Sequence, residues 1–442
     1  MKRKTGMRAF SLLLALVLVS VGVVSAVSAQ DIYRDDTAYF SKIQPSEEVD
    51  GVHFTNLPLS QEYELVTVIP SLFAADASSG KSVAVNLLGK EYLLDLEPVP
   101  APVAKDAKCV VVNESGTFIL DPPLIECYVG TVSGDPESYA FFTVDNEVIL
   151  GTIRTGDVSY VIEQVGIVGV GSERRVVHAI YDDYSVADVK EPLAHCGVVP
   201  LERVASEIPA QLPSGALDVQ SGTTATTTVT MMAAHDHQFR NLFPSPNTEM
   251  ANMIAQINTA FSPSDIGVSL QVNAYCDLGT TLTAYNHESL LRDFSAENAA
   301  LRDRMNSDIA VLFTGRDLDN EYIGAAYEYV PDPDGGYALV QMCSSGGSYQ
   351  ATFSHRCINA AHEIGHLFGA GHEDSAAPYP SYAKAYHWTE WFIYDRYTAL
   401  WSSFMGNDMC LEYSCDTRHG DASLHDNARR ISETKGVVAG YQ

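Results

Sequence analysis

Eleven consecutive residues, His362-Glu363-Ile364-Gly365-His366-Leu367-Phe368-Gly369-Ala370-Gly371-His372, constrain this chain more than any other feature. On a helix, residues four apart stand one turn above each other, so His362 and His366 present their imidazoles to one point. Glu363 lies beside that point, placed to act as a base rather than a ligand. Gly369 can take a left-handed backbone and stop the helix, so that the chain turns and returns His372 as a third ligand. Three protein ligands leave the fourth position of a zinc ion open, which makes a site catalytic rather than structural. A bare His-Glu-x-x-His recurs by chance in helices, but the glycine and third histidine at fixed offsets speak against an incidental set. Glu390 is available as an alternative third ligand, and His372 at its offset makes it unnecessary.

The length of 442 residues allows two or three domains, each able to bury a core. Lys2, Arg3, Lys4 and Arg8 precede an apolar run from Leu12 to Val24, followed by Val27-Ser28-Ala29. This reads as a secretory signal over 1–29, cut after Ala29, with an uncleaved anchor as the alternative because the run is nearly long enough to span. The expected location is extracellular, with no membrane association once the signal is cut. A formal charge of −29, from 56 acidic and 27 basic residues, repels nucleic acid and anionic membranes. In an exported chain most of the eight cysteines should pair. Cys109 with Cys127, Cys410 with Cys415 and Cys343 with Cys357 are the candidate bridges.

From about Asp31 to Lys190 the sequence reads as short strands; Tyr139–Val144 and Val148–Ile153 flank Asp145-Asn146 as a hairpin turn. The sequon Asn113-Glu114-Ser115 would sit on the surface of this β-rich region. Between about Pro200 and Thr228 the composition turns to Pro, Ser, Gly, Ala and Thr, a linker. The second half then alternates strands with helices, the latter over 247–261, 288–305, 354–368 and 423–434. That order implies a twisted, mostly parallel sheet with packed helices, an α/β (α+β) domain. The expected division is a signal (1–29), a β-rich domain (30–199), a linker (200–224) and a catalytic domain (225–442).

These residues resemble the reprolysin-like (adamalysin, M12B-type) branch of the metzincins, in its secreted prokaryotic form. Over nearly the whole chain after the signal, the resemblance implies a metzincin-like catalytic domain preceded by its pro-domain. Tyr322-Ile323-Gly324-Ala325-Ala326 looks like the edge strand on which such enzymes lay an extended substrate, with Gly324 and Ala325 at its centre; the bland alternative is an ordinary strand near the surface. Met405 looks like the methionine of the tight turn beneath the zinc ligands, with Met409 as rival. Tyr128 to Pro136, Gly151-Thr152-Ile153 and Tyr160 to Glu163 look like the family's pro-domain, and His195-Cys196-Gly197-Val198 resembles its cysteine switch. A thiolate is a strong zinc ligand and would fill the open fourth position; the alternative for Cys196 is a disulfide with Cys276. Two positions depart from the pattern: Glu373 stands where the branch usually has Asp, as in astacins, yet Asn407 stands where astacins typically have Tyr. No dibasic pair lies between Gly197 and Thr228, so activation by a furin-like enzyme is unsupported and autolysis or another protease is expected.

The resemblance implies a secreted zymogen that hydrolyses peptide bonds with a water activated at one Zn2+ and Glu363 as general base. A monomer acting on protein or peptide is expected. The competing class is an inactive secreted binding or surface protein on the same fold, although no ligand or base has been lost. Calcium has no support, since Asp332-Pro333-Asp334-Gly335 reads as a turn first. His235 and His237, at a strand end, are expected to face solvent.

Overall fold

The computed structural model describes residues 39–43, 49–50, 63–185, 194–201, 226–262, 266–319, 321–343, 351–376, 378–390 and 394–442. The expected signal and nearly all of the expected linker lie outside them. Among the described residues, no helix is long and apolar enough to cross a membrane.

The chain opens with β1 (Phe40–Lys42), β2 (Val49–Asp50), β3 (Tyr63–Val68), helix α1 (Pro70–Ser78), β4 (Val83–Leu87) and β5 (Lys90–Val99). It then leaves its neighbours for a hairpin, β6 (Val103–Asn113) and β7 (Gly116–Leu120). It returns as β8 (Glu126–Val132), β9 (Asp135–Val144), β10 (Ile149–Thr155), β11 (Val158–Val168) and β12 (Arg175–Asp182). Without β6 and β7 these strands form one antiparallel sheet in the order β1-β3-β12-β11-β10-β9-β8-β5-β4, with β2 on β11. Period-two burial explains the strands: Val83, Val85 and Leu87 of β4 point inward. They meet Phe73 of α1, which packs edge-on against Tyr39 and Tyr128. The β9–β10 connection is longer than a two-residue turn. Val144 pairs with Ile149, and Asp145 accepts from the amides of Glu147 (2.6 Å) and Val148 (2.8 Å), an Asx turn that needs the extra residues.

The second sheet takes β13 (His195–Val199), β14 (Thr227–His235), β15 (Val268–Asp277), β16 (Ile309–Thr314), β17 (Tyr322–Tyr327) and β18 (Tyr337–Gln341). Its order is β13-β17-β18-β16-β14-β15-β6-β7, parallel throughout except for β17 with β18 and β6 with β7. The helices are α2 (His237–Leu242), α3 (Pro246–Phe261), α4 (His287–Arg304), α5 (Phe353–Leu367) and α6 (Asn427–Val438). Successive residues of the central strands face opposite ways. Met231, Ala233, Val311 and Ala326 join the core under α3 and α5, and Met232, Ala234, Leu312 and Ala325 join the one under α4. A three-stranded sheet of β19 (His387–Glu390), β20 (Tyr394–Thr398) and β21 (Met409–Cys410) completes the fold.

Two features were not expected. The strand that resembles a substrate edge, β17, is not an edge: β13 lies along it. At the other side, β15 is covered by β6, so strands from the N-terminal half finish the second sheet at both ends. The core under α3 and α5 also includes Phe141, Val161, Val177 and Tyr181 of the first sheet. The two halves therefore share one hydrophobic interior.

Three further expectations are corrected. All eight cysteines are unpaired, and the candidate bridges are absent. Cys127 instead lies 3.7 Å from the hydroxyl of Thr143, and Cys415 lies 3.3 Å from that of Thr417. His235 is buried, its Nδ1 3.2 Å from the carbonyl of Asp236, because β14 ends inside the core. Helix α6 begins at Asn427, since Asp426 caps it by accepting from the amide of Arg429 (3.0 Å).

Candidate metal centre

Helix α5 is buried along almost its entire length and carries His362, Glu363 and His366 at its C-terminal end. The amides of Gly369 and Ala370 bond back to the carbonyls of His366 (2.9 Å) and Gly365 (3.1 Å), closing the helix. Gly369 makes this possible with φ +81°, a left-handed conformation that strains a side-chain-bearing residue. Asn427 then grips the turned chain, accepting from the amide of Gly371 (2.9 Å) and donating to its carbonyl (3.0 Å). These contacts deliver His372 to the point faced by the other two imidazoles.

His372 Nε2 lies 3.1 Å from Nε2 of both His362 and His366. Cys196 closes the group, with Sγ 3.2 Å from His372 Nε2 and 3.3 Å from His366 Nε2. All four donor atoms lie within 4.8 Å of one another. Nitrogens bound at 2.0–2.1 Å in a tetrahedron stand about 3.3 Å apart, so these separations suit a single zinc ion. The tautomers suit it too. His362 Nδ1 donates to the carbonyl of Ala399 (2.7 Å) and His366 Nδ1 to that of Ala370 (2.9 Å), which leaves both Nε2 lone pairs facing inward. Burial lowers the pKa of all three histidines, that of His362 to about 3, and so keeps the rings neutral.

Glu363 carries the most telling observation. Both its carboxylate oxygens are sealed from solvent and bond to no described atom, and burial raises its pKa well above the usual carboxylate range. A buried carboxyl group with no partner is costly, and a cation held by the four donors would offset that cost. Gly324 on β17 gives it room: a Cβ there would stand 2.3 Å from Glu363 Oε1. Ala325, the next residue, turns away into the core under α4. Of the two residues marked on this strand, only Gly324 faces the centre.

The segment that brings Cys196 is fixed along its length. His195 pairs with Tyr322, Cys196 with Gly324, Gly197 with Ala325 and Val199 with Tyr327. The amide of His195 donates to the carbonyl of Glu321 (2.6 Å), that of Glu328 to Val199 (2.9 Å) and that of Phe404 to Ala194 (2.8 Å). Burial raises the thiol of Cys196, with Glu363 and Glu373 adding to the effect. Cys276 is buried under α4 and forms no bridge with it.

Met405 precedes a short helical turn, Gly406–Asp408, and packs against the main core, while Met409 lines the cleft beside Cys196 and His362. Glu390 takes no part in the centre; it is exposed and pairs with Arg396 (3.2 Å). Glu373, marked in the sequence only as a departure, ties the third-histidine loop to the segment before Met405. It accepts from the amide (2.9 Å) and hydroxyl (2.5 Å) of Ser402. The stretch Asp426-Asn427-Ala428-Arg429-Arg430 resembles the family's final helix in sequence. The grip of Asn427 on Gly371 and the carbonyls of Ala399 and Ala370 carried no signal, because each is a backbone contact that only the fold creates.

A family model described as Reprolysin_5, Metallo-peptidase family M12, matches residues 225–391. Among solved structures, metalloproteinase-II from Bacteroides fragilis aligns with TM-score 0.44 and 10% identity, covering 80% of this chain and 90% of that one. A chain from the structure of a chaperone-substrate complex aligns with TM-score 0.40 and 14% identity over 49% of this chain. This chain spans 36% of that chain's length. Both superpositions fall below the similarity from which a shared fold follows.

Proposed function

We propose, from a chain whose residues 225–391 carry a metzincin-like metallopeptidase sequence of family M12, that this protein is a secreted zinc endopeptidase made as a latent zymogen. The observation that carries the reading is the meeting of His362, His366, His372 and Cys196 beside a buried, unpartnered Glu363. The three histidines would hold the zinc, fixed in orientation by the carbonyls of Ala399 and Ala370. Zinc supplies Lewis-acid polarisation of a carbonyl and brings the pKa of a water to about 7. Glu363 takes a proton from the attacking water and returns it to the leaving amine. Gly324 keeps the wall beside that carboxylate free of a side chain, and β17 offers main-chain groups to an extended peptide.

Latency follows from Cys196 and from the strand that carries it. With zinc held by the histidines, the sulfur of Cys196 would stand where a water is needed, and β13 lies where a substrate strand would lie. The N-terminal half is then the pro-domain, 200–224 the linker to be cut, and 1–29 the signal that sends the chain out of the cell. Chain cut in the linker and freed of its N-terminal half, incubated with a peptide library with and without a chelator, tests the reading. Chelator-sensitive hydrolysis with one zinc per chain is expected, and Glu363→Gln should retain zinc and lose hydrolysis. Undiminished turnover in that variant, or freed chain that binds no zinc, would sink the reading.

A further inference from the structure

In the latent chain the strand on β17 is also a cast of the cleft. Cys196 faces the metal centre, so its neighbour Gly197 faces the opposite side of the sheet, toward the start of α4. There it meets His287. A Cβ on Gly197 would stand 2.5 Å from His287 Cδ2 and 2.9 Å from Nε2. The ring has little freedom to retreat. Its Nδ1 lies 2.9 Å from Asp319 Oδ1, which also accepts from the amide of His287 (2.7 Å). Its other face stacks on Tyr322 with ring centres 3.7 Å apart. Asn286, whose side chain caps α4, donates to Asp319 Oδ2 (2.7 Å) and holds the carboxylate from the other side. Two residues further along, Val199 is 3% exposed and packs into the apolar cluster under α4 with Tyr327 and Leu290.

We infer that His287 is a specificity-determining residue. It closes the α4-facing side of the cleft, so that the substrate residue lying opposite Ala325 must be glycine, and the position opposite Tyr327 takes an aliphatic side chain. This rests on the peptidase reading above. A peptide strand that replaces β13 on β17 lies in the same trough. In parallel or antiparallel pairing, the residue opposite Ala325 presents its side chain to α4, because paired residues share a face. The substrate class is therefore an extended peptide with glycine next to the residue at the metal centre and an aliphatic residue two places beyond.

The test has two arms. In the full zymogen, without catalysis, alkylation of Cys196 is followed by mass spectrometry of its peptide. Gly197→Val should raise its rate about tenfold or more by forcing β13 off β17, and Gly197→Val with His287→Ala should return it toward the parent value. A Gly197→Val rate equal to the parent's, or no restoration in the double variant, overturns the assignment. Should Gly197→Val fail to fold, recovery of folded protein in the double variant is the supporting result and its absence the opposing one. In the freed enzyme, a peptide library should select glycine at one position adjoining the metal-side residue, about tenfold or more over valine. His287→Ala should relax that choice alone. A library profile indifferent to glycine, or unchanged in His287→Ala, overturns the proposal. Absence of cleavage by both proteins falls on the peptidase reading, and the thiol arm then decides whether His287 closes the trough.

Discussion

Arg356 on α5 meets Glu163 on β11 at 2.5 Å, with both side chains almost wholly buried. The same guanidinium lies 2.8 Å from Glu249 of α3, so one cation joins the first sheet to the helices of the second half. Tyr181 donates to Glu163 (2.9 Å) and accepts from the amide of Phe353 (3.3 Å), tying the network to the start of the histidine-bearing helix. Burial pushes the carboxyl of Glu163 upward while Arg356 pulls it down. Replacing Glu163 with Ala should cost on the order of 3–5 kcal/mol, because a buried charge loses a partner. Chemical denaturation of the full chain measures the loss.

On the proposed peptidase reading, Gly324→Ala should leave zinc binding unchanged and lower kcat/KM of the freed chain by about a hundredfold, the usual penalty for displacing a reacting group by about an ångström. The added methyl would stand where Glu363 Oε1 now comes within 2.3 Å of the ideal Cβ position, so that carboxylate must move. Parallel kinetics and metal analysis check both halves of the expectation.

Acid should loosen the N-terminal sheet. His178 of β12 is completely buried, and burial lowers its pKa from 6.5 to about 3. The folded form thus binds fewer protons than the unfolded one between those values. Its stabilising contribution is present above pH 6.5 and is lost as the pH falls toward 3. The loss is about 1.4 kcal/mol per pH unit over that window. Urea unfolding at pH 7.5 and at pH 5 should show the drop, and His178→Phe should flatten it.

Cutting the linker should not by itself release activity. The cut strand β13 remains bonded along β17, β6 remains on β15, and the halves share one core. A specific protease site inserted within 202–224 allows a clean cut. The two fragments should co-elute on gel filtration and hydrolyse peptides at less than about a tenth of the rate seen once the N-terminal fragment is removed by denaturation or digestion.

The centre was legible because its signal is local. The histidine spacing placed the helix at 354–368, and it runs over Phe353–Leu367; the left-handed turn fell on Gly369 as expected. Cys196 carried its signal in a short motif, and its Sγ lies 3.2 Å from His372 Nε2. The β6–β15 pairing was not legible, since it joins strands more than a hundred residues apart and nothing in Val103–Asn113 distinguishes one partner sheet from another. The cysteines misled because an expected export route argues for pairing, whereas all eight are free thiols here, five of them buried. Arg356, Glu163 and Glu249 were silent for a related reason. Charged residues on separate elements reveal their partnership only once those elements pack.

The borrowed strands at the two ends of the second sheet have opposite fates if the N-terminal half is shed. On the proposed reading, the row of amides and carbonyls bared on β17 would become a working bench, occupied in turn by each peptide. The ten-residue β15, Val268–Asp277, would be left with a raw flank that has no part in the proposed chemistry. Such a flank invites any passing strand, including that of a sister molecule. The remaining chain would therefore grow stickier on the side away from the histidine cluster, and the hairpin of β6 and β7 serves that flank as a sheath.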